Sequence, residues 1–518
     1  MQKYLCNLNL WIVVVYVLVM VGIGYVCMRR TKTVSDFFLA GRTLGPWMSA
    51  FAYGTTYFSA VIFVGFAGRL GWNFGINALW IALGNVVFGS FLAWKIFARR
   101  TRRMTANLNA LTMPEFLAAR FDSQFLKIAA ALIIFIFLVP YSASVYQGLS
   151  LLFEYNLGIP YGAAIGFMAL LTGVYLIMGG YLALAVTDFL RGIVELFGVA
   201  LMVLFLVHIQ GGFGSVVDKL SASSMAPAMQ PNPQALFPGW LVLLSLVVLT
   251  SFGPWGLPQM VQKFYSIKSE ADVKRAMIVV SLFSLVLSFG AYFTGAMTHL
   301  YFHGPAEAAG GRLPVPANLD DLMPQFLTNP DIVFPWVSMV IMLLVFSASM
   351  SSLSSLVLVS SSSIAVDLYA GLKKNADKRV VMALMRILCG VFIGISICIA
   401  LYRVEFIVNL MSLSWGVLAG AFLAPYCFGL FWRRTTKAGA IAGMLSGLAT
   451  ILLAMFVIKL LTGKPIGGNP YIPVAGALAM IVPVIVVPIV SLFTQPPKKE
   501  ILQKAFGPAQ DGEQPSEC

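Results

Sequence analysis

The sequence predicts an all-α integral membrane protein with about thirteen transmembrane helices, on three observations. Its 518 residues are 59% hydrophobic and 10% charged, with a mean hydropathy of +0.88, whereas soluble domains carry about 25% charged residues. Apolar stretches of about 18 residues or more, each long enough to cross a hydrocarbon core of roughly 30 Å as a helix, recur along the whole chain. The basic residues gather in alternate loops, as a chain that crosses back and forth requires.

Those stretches are about 9–27, 45–69, 73–97, 124–153, 160–178, 183–209, 237–263, 273–302, 333–366, 380–402, 405–431, 437–460 and 471–494, with the narrowest division at Gly179-Gly180. With the N-terminus outside, the segments beginning at Arg29, Arg99, Lys263, Lys373 and Arg433, and the tail from Lys498, face the cytoplasm. Together with their helix ends they hold 26 of the 34 Lys and Arg. The opposite loops hold seven, and Arg191 falls within a span. This is the positive-inside rule, so the net charge of +14 reports topology and not a nucleic-acid partner. The expectation is a multi-pass protein of the plasma (inner) membrane, N-terminus outside and C-terminus cytoplasmic. Arg29 and Arg30 follow the first apolar segment instead of preceding it, which argues against a cleaved signal peptide. The six cysteines are scattered without a CxxC pair, and read as apolar filler or free thiols.

One membrane domain is expected over residues 1–495, with an interrupted core at about 45–431, and a polar, disordered cytoplasmic tail at 496–518. The basic loop 98–123 should hold a short interfacial helix starting near Thr112-Met113-Pro114, and the outer loop 303–332 a short helix at "LDDLMPQFL". No kinase, nucleotide-binding or receiver module is expected.

Two spans read as interrupted. "GPWMSAFAYGTTYFSAVIFVGFAG" and "LTSFGPWGLPQMVQKF" mix Gly, aromatics and small polar residues at mid-span, and the latter adds Pro254 and Pro258. Backbone released from helical bonding at membrane depth is tolerated where it lines a cavity or meets a ligand. Paired interruptions five spans apart point to an inverted-repeat transporter; proline-kinked helices are the plainer alternative.

The stretch "SASMSSLSSLVLVSSSS", residues 347–363, is ten-seventeenths serine inside a span. On a helix, Ala348, Ser351, Ser352 and Ser355 lie at i, i+3, i+4 and i+7 on one face, with Ser354 beside them. Hard cations take oxygen ligands, and neutral hydroxyls and carbonyls can hold a monovalent ion loosely enough for it to leave. The carbonyls would come from the break near residues 54–58. Close packing or bonding back to the preceding turn is the alternative, and covers Ser360–Ser363. The sixth span places Asp188, Arg191 and Glu195 on one stripe. A charge at mid-bilayer costs about 2.5–3.5 kcal/mol on insertion scales, so these face a wet path or one another, as ion site or as salt bridge.

"LAGRTLGPW", "GTTYFSA", "GGYLALAVTD" and "SMSSLSS" followed by "DLY", in this order, resemble the sodium/solute symporter family, bacterial proline/pantothenate-permease-like branch, over roughly residues 9–440. The resemblance implies the leucine-transporter-like 5+5 inverted repeat with one extra N-terminal and two C-terminal helices. It implies a sodium site from carbonyls of Thr55, Phe58 and Ala348 and hydroxyls of Ser351 and Ser352. Relatives like the sialic-acid symporter suggest a possible second sodium at Asp188, Ser351, Ser354 and Ser355. Arg42 matches an arginine used for coupling, and is equally a cytoplasmic positive charge. The solute would sit beside the breaks, at Thr56, Tyr57, Ser59, Tyr141, Thr250, Trp255 and Gln259. Thr250 and Pro254 stand where the proline branch has Trp and Tyr, and Tyr57 where it has an aspartate, so the solute is not named by the resemblance. Arg191 stands in place of the family's usual neutral amide.

The expected function is sodium-coupled symport of a small organic solute, with amino acids or carboxylates favoured, Na+ as the co-transported ion, and no organic cofactor or obligate protein partner. One charge crossing about 100 mV releases roughly 2.3 kcal/mol, nearly fiftyfold in concentration. A proton-coupled carrier of the same fold and a non-transporting solute sensor are the rivals. His208, His299 and His303 form no HExxH and no nucleophile–base pair, so an enzyme is not expected.

Overall fold

The computed structural model describes residues 2–28, 40–222, 226–305, 312–373, 376–403, 406–464 and 468–507, the side chains of 2–10, 27, 28, 40, 174–180, 222 and 378 excepted. Helices carry it: α1 (Gln2–Met28), α2 (Pro46–Tyr57), α3 (Ala67–Phe74), α4 (Met113–Phe121), α5 (Gln124–Leu157), α6 (Tyr161–Ile209), α7 (Gly239–Phe252), α8 (Pro258–Ser266), α9 (Glu270–Ala296), α10 (Pro335–Ser362), α11 (Lys378–Leu401), α12 (Ile407–Phe431), α13 (Lys437–Thr462), α14 (Ile472–Phe493) and α15 (Lys499–Phe506). Sequence sets their starts. Ser123, Ser269 and Thr436 each accept a hydrogen bond from the backbone N–H three residues on, capping α5, α9 and α13. At α4, Thr112 accepts from Glu115 N while the Glu115 carboxylate accepts from Leu111 N, a capping box with Pro114 in the first turn.

Among the described residues, nine helical stretches are long and apolar enough to cross a membrane, and a tenth is the bent pair Gly239–Trp255 and Pro258–Ser266. The chain is a multi-pass membrane protein. Two stretches exceed a single crossing. Val61–Asn107 is 47 residues long, about 70 Å at 1.5 Å per residue, and is divided at Gly75, whose φ of 56° glycine adopts without steric cost. α6 runs 49 residues through the expected division at Gly179-Gly180, where side chains lie outside the described residues.

Over an 18-residue apolar window the serine-bearing stretch Pro335–Ala370 is 89% buried and Ile407–Phe431 94%, against 28% for Lys437–Thr462, so these two lie inside the bundle. The lower serines of the former meet main chain: Ser360 and Ser363 donate to Phe135 O and Ala131 O of α5, as close packing requires. Where α3 crosses α9, glycine faces glycine: a Cβ on Gly71 would stand 2.2 Å from the carbonyl carbon of Gly295. Gly71→Ala is therefore expected to push these helices apart and destabilise the protein by about 1–3 kcal/mol, measured as a lower unfolding temperature in detergent.

Two short helices at Leu319–Asp321 and Leu322–Thr328 fall where "LDDLMPQFL" placed one. The tail is corrected: the disorder expected from residue 496 does not hold over Lys499–Phe506, which is helical, with Ala505 buried and its carbonyl accepting from Asn107 Nδ2. An apolar Ile-Leu-Ala-Phe face in an otherwise polar segment supplies the reason. At the end of the bundle bearing the basic residues 99–103, the strand-like residue Leu44 pairs in parallel with Ile267. Leu44 N donates to Ser266 O and Lys268 N donates to Leu44 O.

Candidate ion and solute site

α2 stops at Tyr57 because Phe58 turns extended (φ −105°, ψ 119°), and the chain resumes as a π-helix at Val61–Phe66. A helix that stops leaves its last-turn carbonyls without intrahelical donors. The serine helix supplies them. Ser352 Oγ donates to Thr55 O at 3.4 Å and Thr56 O at 3.2 Å, and Ser351 Oγ donates to Thr55 Oγ1 at 2.8 Å. All four residues are buried, as are Phe58 and Ala348. Neutral hydroxyl and carbonyl oxygens thus converge where the intact helix α10 faces the broken one, chemistry that suits a dehydrated monovalent cation.

A cavity of about 20 Å³ opens beside the break, lined by Tyr57, Ser59, Tyr141 and Thr250 among the expected solute residues. That is about the room for one water, so a solute requires the walls to move. Tyr57 hydroxyl donates to Thr250 O at 2.7 Å, tying the first break to α7. The Tyr141 hydroxyl lies near Ser59 and Ser352, beside the oxygens gathered at the first break. Thr56 turns away from the cavity, its hydroxyl 3.1 Å from Ser355 Oγ. Trp255 and Gln259 do not line the cavity: Trp255 Nε1 donates to Phe88 O at 2.9 Å, while Gln259 is buried with its Oε1 lacking a hydrogen-bond partner among the described residues.

Sequence reasoning missed Trp415. It stacks on Tyr57 at 6.2 Å and meets Tyr141 edge-on at 5.7 Å, and a Cβ on Gly253 in the second break would lie 2.8 Å from its ring. One indole thus touches both breaks. Its Nε1 has no hydrogen-bond partner among the described residues. Only its place in the glycine-rich "SWGVLAG" run could have marked it.

Lys263 is a correction. Counted among the cytoplasmic basic residues, it is fully buried, its Nζ donating to Ser355 Oγ at 3.1 Å and lying 5.0 Å from the Tyr181 ring centre. Asp188 and Arg191 are buried together and paired at 3.5 Å. Glu195 is buried on the same stripe with neither carboxylate oxygen hydrogen-bonded among the described residues. Ser354 donates back to Met350 O at 2.7 Å. Arg42, remote from the ion oxygens, adopts a left-handed φ of 58° and donates to Thr105 O, Thr105 Oγ1 and Ala110 O at 2.9–3.3 Å. Partial burial lowers its pKa from the usual arginine value.

Two broken spans packed on one intact polar helix, inside a multi-pass bundle, define a membrane transporter. The chain belongs to the sodium:solute symporter family, whose profile matches residues 37–447. It is 30% identical over 449 residues to the sodium/proline symporter of Escherichia coli (strain K12), covering 85% of this chain and 86% of that one. It is 28% identical over 439 residues to the high-affinity proline transporter PutP of Bacillus subtilis (strain 168), covering 84% and 89%. Among solved structures, a Na+-coupled sialic acid symporter in a substrate-bound outward-open state superposes with a TM-score of 0.75 at 18% identity, covering 95% of this chain and 98% of that one. Mhp1, a nucleobase-cation-symport-1 family transporter, superposes at 0.53 with 13% identity, covering 92% and 99%. These likenesses give the fold.

Proposed function

We propose that the protein is a sodium-coupled symporter that imports a small amino acid by alternating access. The observation that carries this reading is the bonding of Ser352 to the main-chain oxygens of Thr55 and Thr56, which sets neutral oxygens from an intact and a broken helix around one point. A cation there draws both helices together, so its binding favours one gate position over another by differential affinity. The reading takes the sodium ligands as carbonyls of Thr55, Phe58 and Ala348 with hydroxyls of Ser351 and Ser352. It takes thirteen spans in a 5+5 inverted repeat with three flanking helices, in the plasma membrane, N-terminus outside and C-terminus inside. Residues 1–495 form its one domain, and Arg42 tethers the loops at the cytoplasmic mouth.

The cavity walls favour the solute class. Tyr57, Phe58, Phe66, Tyr141, Tyr292 and Trp415 supply aromatic faces, Ser59, Asn85 and Thr250 supply polar points, and among the described residues no charged side chain lines the cavity. A small zwitterion with an apolar body fits such walls, its charges met by the ends of broken helices and by the ion. The names of the relatives above make L-proline the first solute to try. Uptake of labelled L-proline and a panel of amino and carboxylic acids into proteoliposomes tests the reading. Uptake should rise with an inward sodium gradient at fixed pH and be lost when choline replaces sodium. Solute entry indifferent to sodium but driven by a pH gradient would overturn it.

A further inference from the structure

The region expected to hold a second sodium is already served by a cation of the protein's own. Of its four expected ligands, Ser351 points its hydroxyl at Thr55, Ser354 bonds its own helix, and Ser355 accepts from Lys263. The fourth, Asp188, is paired with Arg191, lies beside Ser351 and is within electrostatic reach of the Lys263 ammonium. Asp188 and the neighbouring Glu195 therefore already face two buried cations, Arg191 and Lys263, and a further positive ion entering here would have to displace or outcompete the ammonium. A buried ammonium is costly without oxygen acceptors and an opposite charge; here Ser355, Asp188 and the Tyr181 ring surround it.

We propose that Lys263 is a tethered cation that fills the place of a second sodium, so that one sodium ion crosses per cycle. The inference rests on the symporter reading of the preceding subsection. Its mechanical content is specific. Ser355 receives Lys263 from α8 and faces Thr56 of α2 at 3.1 Å, so both broken spans meet on one serine. A sodium ion bridging the same groups would leave with each cycle. The lysine stays and moves with α8, giving a permanent charged link between the second break and the serine helix at no cost in sodium.

Lys263 is a positioning residue, and the test reads ion number as well as flux. Purified protein is titrated with sodium chloride against choline chloride at constant ionic strength, following tryptophan fluorescence. Wild type is expected to give a Hill coefficient of about 1, unchanged in Asp188→Asn, because Hill coefficients cannot exceed the number of sites. Lys263→Gln, which vacates the ammonium and leaves Asp188 and the serines, is expected to raise the coefficient toward 2, whereas Lys263→Arg keeps it at about 1. A wild-type coefficient near 2 that falls in Asp188→Asn overturns the inference and leaves the symporter reading standing, and this arm decides the matter even if Lys263→Gln does not fold. A folded Lys263→Gln with an unchanged coefficient also overturns it. A wild type that does not respond to sodium overturns the symporter reading, and this inference with it.

Discussion

Ser352→Ala is expected to raise the sodium concentration for half-maximal uptake about tenfold, with the amount of folded protein in the membrane little changed. The hydroxyl now donates to Thr55 O and Thr56 O, a neutral bond worth about 0.5–1.5 kcal/mol. On the proposed reading its oxygen turns to a bound cation, and hydrogen bonds and dipoles directed at charge are worth roughly twice as much. Alanine loses both, so the net loss falls on the bound state at about 1.4 kcal/mol, a factor of ten. Sodium titration of uptake in proteoliposomes measures it. Ser360→Ala is the comparison: its hydroxyl meets Phe135 O at 3.5 Å, well along the helix from the break, and sodium dependence should stay at the wild-type value. Equal behaviour of the two variants would remove Ser352 from the ion site.

Trp415→Ala is expected to raise the solute KM on the order of a hundredfold and to lower the unfolding temperature as well. Truncating a buried tryptophan costs about 3–5 kcal/mol, and here the lost contacts are with Tyr57, Tyr141 and the glycine of the second break. Part of that loss falls on the fold and part on the bound solute. Trp415→Phe separates the shares: it restores a ring against Tyr57 and should bring KM back to within about tenfold of wild type. KM and kcat measured beside thermal unfolding tell the two apart. An alanine variant that is less stable but transports with unchanged KM would make Trp415 a packing residue alone.

Both breaks and the serine helix were legible in the sequence because Gly, Pro and hydroxyl residues at membrane depth need a structural reason, and few reasons exist. Lys263 and Trp415 were not, and the causes differ. Lys263 stands at the end of its apolar stretch, where counting basic residues assigns it to the flanking loop. Only the docking of α8 against α10 shows the ammonium pointing inward. Trp415 looks like any aromatic in an apolar helix until Tyr57 and Gly253 are brought to its two sides. Trp255 and Gln259 were chosen for nearness to the second break, but the Trp255 indole turns to Phe88 O and α8 carries Gln259 past a bend of 40°, neither of which is readable from spacing. The tail helix was missed because polar composition outweighed a four-residue apolar face.

The parallel pairing of Leu44 with Ile267 and Lys268 joins the segment ahead of the first broken span to the segment after the second. Because amides and carbonyls make the clasp, ordinary side-chain replacement leaves it intact, and evolution can retune the mouth's charge without unfastening it. Leu44→Pro or Lys268→Pro removes one of the clasp's two hydrogen bonds and so loosens the link while leaving the other in place.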